Sequence, residues 1–437
     1  MMTYQEAAAY IEEIPKFSVK HSNEHTRLCL KRLGDPDRRI GAVIHVAGTN
    51  GKGSVCAFLD SALRRAGVKT ALFTSPHLVR LNERIAVDGA AISDEAFLRV
   101  FSQVKETAVY MEETGMGHPS YFEFLFLMAM VHFAACGCEA AVIETGLGGR
   151  LDATNSIVRP ALSVITSISF DHMQYLGETI QEIASEKAGI IKPGVPCVYE
   201  AKRPEAASVI ENAAAEKEAP CFGLAGEDCR ITAQGEGTID FSTAFRYDGR
   251  ADFRIRSWAP YQVRNAALAV LALKVLREHS GLPEEKLPDG EAVRDGLLMM
   301  RWPARMEQIR PGVFLDGAHN EDGIRAFIEA AGAIRGGRDA HLLFAVVHDK
   351  NFAGMIRSLA SEVPWADVTV TEVSGSRRES CRHLQQLFIE AGQKNVKAVP
   401  DFREACRDLM ARKGDGLLFI CGSLYLAGEI ETIKSDD

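Results

Sequence analysis

The residues best suited to chemistry stand in Ala47-Gly-Thr-Asn-Gly-Lys-Gly-Ser54, where glycines surround one lysine between an apolar run and an amphipathic one. A glycine-rich turn lets backbone N–H groups close on a phosphate chain, and the N-terminus of the following helix adds positive potential. Lys52 can then reach the terminal phosphates as a point charge. Two features depart from the general phosphate-loop pattern. Val46 holds the first glycine position, and Gly53 separates Lys52 from Ser54, displacing the hydroxyl that usually serves Mg²⁺. The bland alternative is an ordinary glycine-rich turn with an exposed lysine. Strand, turn and helix nevertheless follow in the order that nucleotide binding needs.

Ligands of an open α/β sheet sit beyond the carboxyl ends of its strands, and several polar residues fall there. Ser75 follows Leu72-Phe-Thr74, Glu144 closes Ala-Ala-Val-Ile-Glu144, and Asp171 and His172 follow the run at 163–168. Each alone is weak. Together with the loop, a hydroxyl, a carboxylate and an imidazole can build a Mg²⁺ site, although imidazole suits Mn²⁺ better and His172 can instead orient a water. His132, inside Met128-Ala-Met-Val-His-Phe133, reads as a packed helical residue. Lys187, in Ser185-Glu-Lys-Ala-Gly-Ile190, reads only as a solvated helical lysine; Thr179 is the expected cap of its helix.

Two α/β stretches must position these residues. The first has strands expected at 40–46, 68–74, 140–144 and 161–168, with a helix carrying Val55, Phe58, Leu59, Ala62, Leu63 and Ala66 on one face and stopping at Gly67. Residues 223–256, rich in Gly and Asp, are expected to form a small antiparallel meander, followed by a helix over 265–275. The second stretch has strands expected at 312–315, 341–347, 367–370 and 417–421, with helices at 323–334 and 379–392 between them. Met299-Met-Arg-Trp-Pro303 suits an interdomain connection, giving domains at 1–299 and 300–437. The 437 residues are too many for one ordinary core.

Composition limits the function classes. Fifty basic against 59 acidic side chains leave a formal charge of −9, which offers no general field for nucleic acid or an anionic membrane. The longest uncharged apolar run, 124–138, is shorter than the ~20 residues a bilayer needs, and nothing at the N-terminus reads as a signal peptide. Ten cysteines without a CxxC pair read as reduced, buried thiols of a cytoplasmic protein.

Six motifs then occur in a familiar order: Gly48-Thr-Asn-Gly-Lys-Gly-Ser54, Ser75-Pro-His-Leu-Val79, Glu144-Thr-Gly-Leu-Gly-Gly-Arg-Leu-Asp-Ala-Thr-Asn155, Asp171-His172, Glu186-Lys-Ala-Gly189 and Asp316-Gly-Ala-His-Asn320. Over nearly its whole length the chain resembles the folylpolyglutamate synthase/dihydrofolate synthase family, a branch of the Mur ligase superfamily. Gly53 is that family's form of the loop. The resemblance implies an N-terminal P-loop NTPase-like Mur ligase domain, with a parallel sheet and a small antiparallel meander, and a C-terminal Rossmann-like α/β domain.

It also implies roles. Gly48, Thr49, Asn50, Gly51, Lys52, Gly53 and Ser54 would hold the ATP phosphates, with Asn265, Arg305 and Asp316 as further ATP contacts. Ser75 and Glu144 would bind a first Mg²⁺, and Glu144, His172 and a carbamate on Lys187 a second. The carbamate turns a cation into an oxygen ligand suited to a hard metal. Lys52, Lys187, His172, Asp316 and His319 would be catalytic, His319 and Ser423 would serve glutamate, and Phe122 and Asp152 the pterin. One departure is Ala304 before Arg305, where the family often has glycine.

The implied reaction is ATP-dependent ligation of L-glutamate to a folate through an acyl phosphate, with ADP and phosphate released. Arg150-Leu-Asp-Ala-Thr-Asn155 resembles the form found in enzymes that also accept dihydropteroate. The expected partners are these small molecules, with no nucleic acid and no membrane, acting on a cytoplasmic monomer. The competing readings are a peptidoglycan Mur ligase, a P-loop ATPase without ligase activity, and a pure binding protein. The first usually carries an extra N-terminal domain, and only about 40 residues precede the loop. Metal-type residues beside the loop disfavour the last.

Overall fold

The computed structural model describes residues 2–15, 22–245, 249–279, 284–348, 351–375 and 377–435. They fall into two units, Met1–Arg230 with Phe241–Ile255 and Arg264–Met300, and Ile231–Asp240 with Arg256–Val263 and Arg301–Asp437.

The first unit is built on an eight-stranded sheet. Its strands are β1 (Ala42–Ala47), β2 (Thr70–Phe73), β3 (Ile85–Val87), β4 (Ala90–Ala91), β5 (Ala140–Glu144), β6 (Leu162–Ile165), β7 (Cys197–Glu200) and β8 (Cys221–Leu224). The spatial order is β4-β3-β2-β5-β1-β6-β7-β8. In that order the pairing from β2 to β8 is parallel, and the β2–β3 and β3–β4 pairs run antiparallel. Every residue of β1 and β5 is buried, as expected of central strands covered on both faces. Register sets Val46 beside Glu144, so the phosphate loop and that carboxylate leave the sheet at the same level.

Two helices show how local sequence fixes position. The Tyr121–Cys136 helix starts at a Ser120 capping box with Glu123, ends on left-handed Gly137, and is buried almost all round. That answers for the long apolar run, and no described helix is long and apolar enough to cross a membrane. His132 lies in this helix and is buried, as its surroundings predicted. The Ile180–Ala188 helix carries Lys187 and begins at a Thr179 capping box with Glu182.

Residues after β8 form a separate three-stranded sheet of β9 (Cys229–Gly235), β10 (Thr238–Thr243) and β11 (Ala251–Ile255), in the order β11-β10-β9. The meander expected at 223–256 therefore began too early. Gly223 and Leu224 belong to β8, whose run Cys-Phe-Gly-Leu extends the parallel sheet. Residues 246–248 of that expectation lie outside the described residues.

The second unit has a six-stranded sheet of β12 (Glu307–Arg310), β13 (Val313–Leu315), β14 (Ala340–Phe344), β15 (Asp367–Val370), β16 (Val396–Ala398) and β17 (Leu417–Cys421). Its order is β12-β13-β17-β14-β15-β16, parallel except for the β12–β13 hairpin. An aromatic cluster of Phe314, Phe327, Trp365 and Phe419 packs against the sheet. Strands at 367–370 and 417–421 match expectation to the residue; the strand expected at 341–347 stops at Phe344.

Candidate active site

Gly48 leaves β1 with φ +148 and lies so close to β6 that a Cβ there would stand 1.8 Å from Thr166 Oγ1. Gly51 is left-handed, and a Cβ on it would stand 2.4 Å from Asn265 Oδ1. Both positions need glycine, one for close approach and one also for its backbone angle. Polar groups after β6 prop the loop. Thr49 N–H donates to Ser167 O (2.7 Å), and the Asn50 carbonyl accepts from Thr166 Oγ1 (2.8 Å) and Ser167 Oγ (3.1 Å). The Lys52–Arg65 helix then begins, with Ser54 buried in its first turn.

Two cations meet here. Lys52 Nζ donates to the carbonyls of Gly48 and Thr49 (both 3.2 Å) and lies 4.0 Å from Glu144 Oε1. Lys187, from a helix 135 residues further along the chain (187 against 52), donates from Nζ to the same Gly48 carbonyl at 2.7 Å. Burial, and secondarily the Lys52 charge, bring the Lys187 ammonium down to about 7. Its amine is therefore poised to lose its proton near neutrality, unlike a solvated lysine. The solvated-lysine reading of Lys187 is thus corrected, because the side chain is 3% exposed. Glu144 is also buried and accepts from the Ser75 N–H (3.0 Å). His172 is left-handed at φ +51 and only partly buried; its N–H donates to Asp171 Oδ1 at 2.9 Å.

Phe122 and Asp152 stand on the same unit. The Phe122 ring lies 5.6 Å from that of Phe73, and a Cβ at Gly146 would touch it at 2.8 Å. Asp152 is 5% exposed, and the chain itself occupies both of its oxygens. Oδ2 accepts from Gly146 N–H (2.9 Å) and Leu147 N–H (2.8 Å), and Oδ1 from Thr154 N–H (3.0 Å) and Thr154 Oγ (2.6 Å). Burial raises its pKa, and the four donors oppose that. Thr154 Oγ accepts in turn from His45 Nε2 (2.7 Å), which sits buried in β1. Asp152 thus fixes the turn that faces Phe122.

The second unit gathers Arg305, Asp316, His319 and Ser423. Asp316, just past β13, is buried, which raises its pKa against the pull of Arg305. It accepts from Met306 N–H, Ala318 N–H (both 2.8 Å) and Tyr261 Oη (2.6 Å). His319 Nδ1 is 2.8 Å from the Gly317 carbonyl, and Ser423 Oγ accepts from Tyr425 N–H at 3.0 Å at the start of the last helix. Tyr261 was missed by the sequence reading. The helix expected from 265 in fact spans Tyr261–His279, and the spacing of four from Asn265 was the available signal. The Arg264–Glu200 pair beside Asn265 was missed as well; it links this helix to the end of β7.

Known proteins resemble the chain along its length. Residues 46–273 match the Mur ligase middle domain, and residues 304–424 the Mur ligase, glutamate ligase domain. The dihydrofolate synthase/folylpolyglutamate synthase of Bacillus subtilis is 36% identical over 98% of both chains. A solved FPGS–AMPPCP–folate complex superposes with a TM-score of 0.85 at 31% identity over 99% of both chains. E. coli FolC in complex with DHPP and ADP does so with a TM-score of 0.86 at 28% identity, covering 100% of this chain and 98% of that one. The chain belongs to the Mur ligase family, in its dihydrofolate synthase/folylpolyglutamate synthase branch.

Proposed function

We propose that the protein is an ATP-dependent amide ligase that adds L-glutamate to a folate and to dihydropteroate through an acyl phosphate, releasing ADP and phosphate. The observation that carries the reading is the convergence of Lys52 and Lys187 on the carbonyl of Gly48, inside a glycine loop at the head of a helix. The positive charge of Lys52, the loop's amide N–H groups and the helix N-terminus together fit a triphosphate, with the Lys187 amine beside them.

A carboxylate is a poor electrophile, so the acceptor acid must be activated. Its oxygen attacks the γ-phosphorus, ADP leaves, and the glutamate amine then displaces phosphate from the acyl carbon. Lys52 sheds its contacts to the Gly48 and Thr49 carbonyls and follows the charge that builds on the transferring phosphoryl group. Asn265, against Gly51, and Arg305 contact the nucleotide. Phe122 stacks on the pterin, and Asp152 acts by holding the Gly146–Leu147 turn beside it. Asp316 orders the loop that carries His319, and His319 and Ser423 receive glutamate.

The donor set suits Mg²⁺. The Glu144 carboxylate lies beside Lys52 of the loop (4.0 Å) and is met by the Ser75 backbone N–H (3.0 Å), so the Ser75 residue stands next to a hard oxygen donor. That pattern fits an ion held by one or two carboxylates and substrate phosphates. Ser75 and Glu144 would hold one ion, and Glu144, His172 and carbamylated Lys187 a second. Bound there, Mg²⁺ would neutralise charge on the phosphates. The ten scattered cysteines support a reduced, cytoplasmic setting, and we take the working form to be a monomer, which light scattering at assay concentration tests.

The test is isotopic. An acceptor labelled with ¹⁸O in its carboxylate is turned over with ATP and glutamate, using tetrahydrofolate and dihydropteroate in parallel. One label appearing in phosphate is expected for both acids. Label retained entirely in the product contradicts the acyl phosphate, and turnover with only one acid contradicts dual activity.

A further inference from the structure

Arg305 sits between two non-glycine residues with left-handed backbones, Ala304 at φ +53 and Met306 at φ +50. Any residue with a Cβ is strained there, and such strain persists only where the surroundings over-determine it. Both residues are fully buried, at 0% and 1% exposure. The structure shows what holds them. Met306 N–H donates to Asp316 Oδ2 (2.8 Å), the Ala304 carbonyl accepts from Gly317 N–H (2.8 Å), and Ala304 N–H donates to Glu307 Oε2 (3.1 Å). The Arg305 guanidinium folds back onto the Ala304 carbonyl (Nη1, 2.8 Å), against a backbone so close that a Cβ at Gly317 would stand 2.6 Å from it.

The Asp316 carboxylate is the pin of this clip, and one of its three donors is a side chain from a different segment. Tyr261 Oη donates to Oδ2 at 2.6 Å, on the same oxygen that receives Met306 N–H. The tyrosine ring packs beside the Phe314 cluster, so its body is accounted for by packing and its hydroxyl by the carboxylate alone.

We propose that Tyr261 and Ala304 are positioning residues that aim Arg305 at the nucleotide, Tyr261 by locking the Asp316 carboxylate and Ala304 by holding a strained turn. The proposal rests on the reading that Arg305 contacts ATP. Neither residue touches substrate. Both act through the arginine.

The test measures binding of a β,γ-methylene ATP analogue to the full chain by calorimetry for wild type, Tyr261→Phe, Arg305→Ala, the double variant and Ala304→Gly, each with its melting temperature. Arg305→Ala is expected to weaken binding about tenfold, and Tyr261→Phe, which keeps the ring, about fivefold. The double variant is expected to be no weaker than Arg305→Ala, since Tyr261 has nothing left to aim. Ala304→Gly is expected to melt higher yet bind about threefold more weakly, because relief of strain frees the turn. Unchanged binding in Arg305→Ala overturns the ATP-contact reading itself. Weakened binding there, with Tyr261→Phe unchanged or fully additive in the double variant, overturns the positioning role alone. Should Tyr261→Phe fail to fold, Ala304→Gly decides: undiminished binding in it overturns the proposal.

Discussion

The phosphate loop and the Arg305 clip both fix a charged side chain against backbone, and they do it by opposite means. At the loop, two lysines, Lys52 and Lys187, rest on the carbonyls of two adjacent residues, Gly48 and Thr49. At the clip, one buried anion, Asp316, gathers donors from Tyr261, Met306 and Ala318. The first arrangement leaves a cation ready to turn toward a ligand. The second has little spare capacity, since the chain already fills three of the carboxylate's roughly four acceptor sites. A partly exposed cation with exchangeable contacts serves chemistry, and a buried anion held by several donors of its own fold serves architecture.

Substitutions should separate the two. Lys52→Ala is expected to lower kcat by about 10³-fold while leaving the melting temperature unchanged, because the lost contacts are two long ones, at 3.2 Å, to carbonyls of its own loop. Asp316→Ala should do the reverse in kind, lowering stability by about 3 kcal/mol by stranding the Tyr261 hydroxyl and the Met306 N–H. Urea titration of both variants beside steady-state assays checks the pair. An Asp316→Ala protein as stable as wild type would erase the distinction.

Lys187 sharpens the contrast within the first unit. A neutral amine adds to CO₂ with loss of one proton, and a Lys187 ammonium lowered to about 7 makes that amine available at neutral pH. Lys187→Ala should lose most activity and regain part of it with added formate or acetate. An unimpaired Lys187→Ala enzyme would refute the carbamate.

The smallest effect concerns a buried pair away from the loop. His25 faces Glu123 Oε1 through Nδ1 (3.0 Å) and the Gly117 carbonyl through Nε2 (3.1 Å), two acceptors that favour the imidazolium. Burial lowers its pKa, but the Glu123 bond and charge outweigh this and the net shift is upward. With the folded pKa above the unfolded one, the stabilisation is complete below about pH 6.5 and fades as pH rises through the raised value. His25→Gln should therefore cost about 2 kcal/mol at pH 5.5 and less at pH 8.5, read by thermal melts. An equal cost at both pH values would mean that His25 is not charged in the native state.

The same contrast explains what could be read in advance. The loop, β1 and the strands at 367–370 and 417–421 are contiguous patterns of apolar residues and turn residues, and local sequence carries them. Glu144 was visible for the same reason, ending an unbroken apolar run. Lys187 was not, because its partner Gly48 lies 139 positions away and only the pairing of β1 with β6 brings them near. Asp152 was legible as a residue of interest through its motif alone. Its four donors appear only once the turn at 146–147 is folded over it. Tyr261 and the left-handed Ala304 were invisible to periodicity, since neither a hydroxyl's direction nor a backbone angle changes the apolar pattern.

ADP release from the purified protein with tetrahydrofolate and ATP, with and without L-glutamate, separates a ligase from a hydrolase. Sustained release, matched one-to-one by glutamylated product, is expected only when glutamate is present. Release at an equal rate without glutamate would leave a nucleotide hydrolase in place of a ligase.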